Sequence, residues 1–415
     1  MSRRVLILVE NLPSPFDRRV WQEATTLRDA GYTVSIICPT GKGCERKFDS
    51  IGGIDIWRYD LPVEGSGALG YLVEYAAALT KSFLLSLRIA FGRGFDVVQA
   101  CNPPDLFFLI GGFYKVFGKK FVFDHHDASP ELYEAKFGKK GFLWEVMVWL
   151  EKLTFRTADI SIATNESYRR IAIKRGGMAP EKVFVVRSGP SLERLQILAP
   201  RNELKRGRKH LVGYVGVMGR QEGIDYLLRA AAYLVHDMGR TDVHFGLVGG
   251  GTSLDEMRHL AQELGIAEHV TFTGRVPDAE LLAMLNTADV CVNPDVANEM
   301  NDISTMNKIM EYMALGKPIV QFDLAEGRFS AREASLYARR NDAFDLAEKI
   351  LQLLDNPAQR RAMGEFGRRR VQDALEWRHE APKLLAAYAS LWGLVRPDRR
   401  RTAASSTRSA ILPPR

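Results

Sequence analysis

Residues 211–236 read LVGYVGVMGRQEGIDYLLRAAAYLVH. An apolar, β-branched run (Leu211–Val217) gives way to a glycine turn, and a helical pattern follows from Ile224 to His236. Strand, turn and helix in that order form the unit from which parallel sheets with covered faces are built. Glycines in such a turn let the backbone approach a ligand, and a helix start attracts anions. Gly219 and Arg220 therefore rank as candidate phosphate contacts.

The same alternation continues outward. On the C-terminal side, strand-like runs fall at Val243–Val248, Val270–Gly274, Val290–Asn293, Pro318–Phe322 and Ser335–Ala338. Helical patterns lie between them, and a long one covers Pro357–Leu391. On the N-terminal side, strands are expected at Val5–Val9, Val34–Cys38, Ile54–Arg58, Val97–Ala100, Phe121–Asp124, Ile160–Thr164 and Val183–Arg187, with a helix at Arg19–Ala30. Residues 191–209 (SLERLQILAPRNELKRGRK) are polar, basic and aperiodic, and read as a linker. The expected fold is α/β, with two doubly wound, Rossmann-like domains, 1–190 and 210–375, facing a central cleft. In such sheets ligands sit at the carboxyl ends of the strands.

Composition narrows the class. With 46% hydrophobic and 26% charged residues the chain is neither collagen-like, nor wholly disordered, nor a polytopic membrane protein. Four cysteines without CxxC spacing argue against a disulfide framework or a zinc site, and for a reducing, cytoplasmic setting. The net charge is +7, most of it in residues 394–415, where six arginines face one acid. That end reads as a basic, disordered tail. Basic patches interleaved with aromatics are missing, so no nucleic-acid partner is expected.

Three further stretches could carry chemistry. Asp124-His125-His126-Asp127 ends a strand, which puts polar groups at the mouth of the cleft. His126 and Asp127 are candidates there. A metal reading would need ligands elsewhere, and the chain has no Asp-x-Asp, so no metal is expected. Gly246–Gly251 (GLVGGG), with Gly250 inside it, precedes a helix but lacks the spacing and acid of a dinucleotide fingerprint. In Asn301–Pro318 (NDISTMNKIMEYMALGKP), Ser304 or Thr305 is expected to cap a helix running to Leu315. The N–H groups of Ser304, Thr305 and Met306 would face an anion, with Asn307 and Lys308 in the first turn. Lysine there opposes the helix dipole by a few tenths to about 1 kcal/mol, a cost that a bound diphosphate offsets.

Two segments are unusually apolar. Leu69–Phe91 carries Glu74, Lys81 and Arg88 seven residues apart, a single stripe on a helix. Phe142–Phe155 holds Phe142, Trp144 and Trp149 and follows Lys139 and Lys140. Aromatics beside lysines suit an anionic membrane surface, while packing on the sheet is the competing reading.

Order and spacing then reach a known pattern. VGYVGVMGRQEGIDYLLRAA, FGLVGGG, VTFTGRV, LLAMLNTADVCVNP and STMNKIMEYMALGKPIV together resemble the glycosyltransferase family 4 enzymes of the GT-B fold. LPSPFDRRVWQEA and FDHHDASPELYEAKFG resemble a subgroup acting in bacterial surface polysaccharide assembly. The resemblance implies a retaining, metal-independent transfer from a sugar nucleotide, expected to be a UDP-sugar, to a glycan or lipid-linked saccharide, with no cofactor. It implies that the helix at 376–393 crosses back to the first domain. It implies His126 at the transferred sugar, Glu311 at the ribose, and Gly274 and Arg275 near the base. Arg18 and Arg19 would face phosphates or acceptor, or lie on a helix surface.

The chain departs from the family pattern at three positions. Ile303 stands where an acid is usual, with Asp302 and Glu299 as possible substitutes. Val217 and Glu222 stand where a cationic pair is usual, leaving Arg220 and Lys308 as replacements. Two other readings remain open, a sugar-nucleotide epimerase of the same architecture and a non-catalytic, membrane-associated relative.

Overall fold

The computed structural model describes residues 3–61, 67–138 and 140–394. Lys139 and the basic tail from 395 onward lie outside the described residues.

Apolar runs that alternate with helices pair as parallel strands because each crossover helix must return the chain to the same edge. The first domain contains β1 (Arg4–Leu8), β2 (Thr33–Pro39), β3 (Phe48–Ile51), β4 (Ile54–Tyr59), β5 (Val97–Cys101), β6 (Lys120–His125), β7 (Ile160–Ala163) and β8 (Val183–Val185). Their order across the sheet is β3-β4-β2-β1-β5-β6-β7-β8. All pairs are parallel except β3–β4, a hairpin turned by Gly52 and Gly53. The edge strand β3 was not expected, because FDSI has neither length nor alternation enough to stand out.

Helices α1 (Arg18–Asp29), α2 (Gly67–Phe91), α3 (Phe108–Lys115), α4 (Ser129–Phe137), α5 (Phe142–Thr157) and α6 (Glu166–Lys174) follow in the connections. α2, α3 and α5 share a core with one sheet face through Ala78, Ile89, Ile110, Tyr114 and Phe155. On the other face α1 packs through Val20, Ala24 and Leu27.

The second domain has β9 (His210–Val215), β10 (Val243–Val248), β11 (Val270–Gly274), β12 (Val290–Asn293), β13 (Ile319–Phe322) and β14 (Ser335–Ala338). The order is β11-β10-β9-β12-β13-β14, parallel throughout. Its helices are α7 (Ile224–Ala232), α8 (Leu254–Glu263), α9 (Asp278–Thr287), α10 (Glu299–Ile303), α11 (Asn307–Ala314), α12 (Ala325–Ala331), α13 (Ala343–Leu354) and α14 (Pro357–Arg370).

The segment read as a linker is exposed over residues 196–203 and anchored on either side of that stretch: Leu195 is fully buried in the core that holds α11, and Leu192 and Leu204 lean on the same core. One expectation is refined. The long helix expected over 357–391 is two helices. A one-turn π segment (Val371–Leu375) ends the first, and Glu376 adopts an extended conformation before α15 (Trp377–Ser390) begins. The break lets the chain turn back. α15 then buries Leu384, Ala387 and Tyr388 against the first domain's sheet and α1.

Candidate active site

β6 ends at the cleft with four polar residues whose fates differ. His125 turns into the core, stacked on Phe123 and Tyr168 and 3.5 Å from Glu151. His126 turns outward, with 11% of its side chain exposed, and its Nε2 lies 2.6 Å from Asp124 Oδ2. Asp124 is held from the other side by Arg19, whose Nη2 donates to Oδ1 at 2.8 Å. Gln99 on β5 donates to Asp124 Oδ2 at 3.2 Å and to Glu23 at 2.6 Å. The Tyr388 hydroxyl on α15 donates to the Gln99 carbonyl oxygen. Two strands and two helices therefore fix one histidine.

The electrostatics follow from burial. Burial alone lowers a histidine pKa, but the Asp124 carboxylate overcomes it and holds His126 well above the ordinary range. Asp124 is pushed the opposite way: Arg19 and His126 outweigh burial and keep it ionised far below the usual range. Glu23, buried beside the Asp124 charge, rises to about 8. His126, Asp124 and Cys101 place three ligand-capable atoms within 4.8 Å of one another. Arg19 already supplies the positive charge there that a cation would otherwise bring.

Asn102 shapes the turn. Its Oδ1 accepts from the N–H of His126 (2.7 Å) and of Asp127 (3.2 Å), and its Nδ2 donates to the Asp127 carbonyl. Sequence reading missed Asn102, which sits after another strand and meets Asp127 only in the fold.

Opposite stands the start of α11, and here expectation needs correction. Neither Ser304 nor Thr305 caps it; the N-cap is Met306, without a side-chain cap bond. Ser304 instead closes α10, its hydroxyl donating to the Met300 carbonyl at 2.7 Å. The first domain reaches across to this turn. Asn165 Nδ2 donates to the Ile303 carbonyl (2.8 Å) and Thr305 Oγ1 (3.0 Å), and the Tyr168 hydroxyl meets Ser304 Oγ at 3.2 Å. A cavity of about 260 Å³ remains between the domains. Arg19, His126 and Asp127 line one side, and Ser304, Thr305, Met306 and Asn307 the other. Glu222 and Tyr168 also reach it.

Lys308 does not enter the cavity as a free cation. Its ammonium is buried between Asp295 (2.7 Å) and Glu222 (2.8 Å), under the ring of Tyr214. Burial raises the Asp295 carboxyl to about 7 even with Lys308 beside it. Glu311 is not a free hydroxyl acceptor either: Arg18 (2.9 Å) and Arg194 (3.0 Å) both hold its Oε1. Arg18 also reaches Asp278 at 3.0 Å, so it bridges the domains instead of facing the cavity. Neither proposed stand-in for the acid at 303 faces the cavity. Asp302 pairs with Arg340 and the N–H of Ala325, and Glu299 pairs with Lys140.

Gly219 and Arg220 line a different hollow, beside α7 and α8, and are not brought to His126. Gly250, Gly274 and Arg275 gather at the ends of β10 and β11. A Cβ on Gly250 would stand 3.6 Å from Arg275, and Gly249 donates to the Gly274 carbonyl. The neighbouring glycines have a structural cause: a Cβ on Gly249 would lie 1.8 Å from the Gly216 carbonyl oxygen.

Two Rossmann-like domains closing on one cavity, with a helix returning from the second to the first, define the GT-B class of sugar transferases. Each of the two domains matches a glycosyltransferase family model. The family model described as "Glycosyltransferase Family 4" matches residues 17–194, and the one described as "Glycosyl transferases group 1" matches 209–356. A 2-deoxystreptamine glucosyltransferase of Streptomyces kanamyceticus is 27% identical over 243 residues, 58% of this chain and 60% of that protein. This chain thus spans about 60% of that relative's length. Among solved structures, a sucrose-phosphate synthase of Thermosynechococcus elongatus superposes with a TM-score of 0.76 at 19% identity, over 95% of this chain and 100% of that one. An Anabaena protein solved in complex with UDP gives 0.69 at 15% identity, over 93% and 100%. These two likenesses concern the fold.

Proposed function

We propose that this protein transfers a sugar from a nucleotide donor to a saccharide acceptor, without a metal and with retention at the anomeric carbon. The observation that carries this reading is the cavity itself, with a fixed His126–Asp124 pair on one wall and the opening turn of α11 on the other. Cleaving a sugar–phosphate bond puts negative charge on the diphosphate and positive charge on the ring. The N–H groups at the start of α11 meet the first, aided by the helix dipole. His126 offers a donor to a sugar hydroxyl, and the Asp124 carboxylate balances the imidazolium charge so that it does not oppose the developing cation. A preorganised donor of this kind typically supplies about 3 kcal/mol to the transition state. Arg19 also lines the cavity, with its guanidinium held by Asp124 and Glu23.

UDP is the nucleotide we favour, supported by the fold-level likeness to a protein solved with UDP. The acceptor we favour is a glycan or lipid-linked saccharide, handled on the cytoplasmic face during surface polysaccharide assembly. The motifs of the first domain and the four free cysteines support that placement.

The test is a thermal-shift panel of UDP-, GDP- and dTDP-sugars, since a ligand of the native state must stabilise it. A selective rise with a UDP-sugar is expected, and no rise with any donor refutes the reading. His126→Ala should keep that rise and lose about a hundredfold or more in turnover. Unchanged turnover removes His126 from the chemistry. Conversion of the donor without any acceptor would make the protein an epimerase.

A further inference from the structure

Isomeric sugars differ in where their hydroxyls point, and a fixed, charged acceptor reads a hydroxyl most strongly. The second domain lines the cavity with residues of the Met300–Asn307 stretch and with Glu222, from the turn after β9. Among the described residues Glu222 is the one carboxylate that this domain brings there. Glu299 and Asp302 are spent on other partners, and Ile303 packs on the first domain's core. On the first domain's wall, Asp17 is occupied in capping α1, accepting from the Val20 N–H at 3.1 Å.

Glu222 is held at both ends. Its Oε2 accepts from Lys308 Nζ at 2.8 Å, and the same ammonium donates to Asp295 at 2.7 Å and to the Tyr214 hydroxyl at 3.5 Å. The backbone of the turn is tied to the loop after β12. The Gln221 carbonyl accepts from the Val296 N–H at 3.0 Å and from Asn301 Nδ2 at 2.8 Å. Gly223 follows with φ +63°, and a Cβ on it would stand 2.0 Å from the Pro294 carbonyl oxygen. Oε1 is left over. It accepts no hydrogen bond among the described residues, and the side chain keeps 17% of its surface open.

We propose that Glu222 reads the hydroxyls of the transferred sugar through Oε1. This rests on the sugar-transfer reading and adds the residue that selects the sugar. Charge decides which part of the donor meets Glu222. A diphosphate beside a carboxylate is repelled, whereas the N–H groups at the start of α11 attract it. The part that lies against Oε1 is then the neutral one, the sugar ring. An epimer that turns its hydroxyl away leaves a fixed charge unpaired, and that penalty is what discriminates. His126 stands on the first domain's wall as a donor, so the ring is held between a donor and an acceptor. Lys308 balances the carboxylate from behind and is not part of the cavity lining.

The experiment is calorimetry on wild type, Glu222→Ala and Glu222→Asp. The probes are the nucleotide sugar that raises the wild-type melting temperature most in the panel above, its free nucleoside diphosphate, and its deoxyfluoro analogues with one hydroxyl replaced at a time. Glu222→Ala should bind the nucleotide sugar about ten- to a hundredfold more weakly, and the nucleoside diphosphate as wild type does. One analogue should bind wild type at least about tenfold more weakly than its parent, yet bind Glu222→Ala as well as the parent does, since the contact is already gone. Glu222→Asp keeps the charge beside Lys308 and draws the oxygen back by one methylene. It should lose about tenfold for the nucleotide sugar alone, and it carries the test if the alanine variant does not fold. Unchanged affinity of the variants for the nucleotide sugar, or an equal loss for nucleotide sugar and nucleoside diphosphate, overturns the proposal. So does tighter binding of the nucleoside diphosphate, since Glu222 would then face the phosphates, and so does an analogue series that falls alike in wild type and variant. A panel in which no donor shifts wild type refutes sugar transfer itself, a failure distinct from these.

Discussion

Lys308 shows how a single side chain changes meaning once its neighbours are known. Sequence reading gives it to a diphosphate, so its loss should cost turnover alone. Buried between Asp295 and Glu222, it holds two carboxylates together. Removing one partner of a buried ion pair typically costs about 3–5 kcal/mol. Lys308→Ala should therefore lower the melting temperature sharply, and adding Asp295→Asn and Glu222→Gln should restore much of it. A Lys308→Ala protein as stable as wild type would return the lysine to a purely functional role.

Glu10 makes a second case at this scale. Burial, and then the charge of Glu74, raise its carboxyl from 4.5 to about 8. The folded state thus holds a proton that the unfolded state releases, and stability contributed by Glu10 falls as pH rises from about 5 to about 8. Glu10→Gln should flatten that fall, gaining on wild type toward the alkaline end in melting curves taken across the range. Parallel curves would show that Glu10 does not titrate there.

At the scale of elements, the turns after β9, β10 and β11 act as one unit. Gly249 has φ +135° and no room for a Cβ against Gly216, while Gly251 packs on Met218 in the same way. The run GLVGGG is explained by turn-on-turn contact before any ligand is invoked. Gly249→Ala must move backbone, not a side chain, and should cost several kcal/mol, with a drop in soluble yield and melting temperature. A near-normal melting temperature would mean that the two turns can separate cheaply. α15 carries a similar lesson. Its return was expected, but its link to His126 through Tyr388 and Gln99 was not, since no spacing rule connects positions 388, 99 and 124.

At the scale of the whole molecule, the domains are tied by contacts that a nucleotide must negotiate. Arg18 of α1 spans the cleft to Glu311 and Asp278. If the ribose binds at Glu311, Arg18 competes with it. Arg18→Ala should then lower the nucleotide Kd several-fold in calorimetry, while weaker or unchanged binding would mean that Arg18 is a contact for the ligand or a bystander.

The alternation of apolar runs and helical periods by itself determined the two parallel sheets and nearly every strand within a residue or two, because period and turn chemistry are local. It also placed the Asp124–Asp127 turn and the start of α11 at strand ends, where cleft residues belong. Which histidine faces the cleft, which carboxylates hold Lys308, and which arginines hold Glu311 were decided only by tertiary structure. Each depends on groups distant in the chain meeting at hydrogen-bonding distance, and burial together with those neighbours then determines whether a charge is free, paired or neutral.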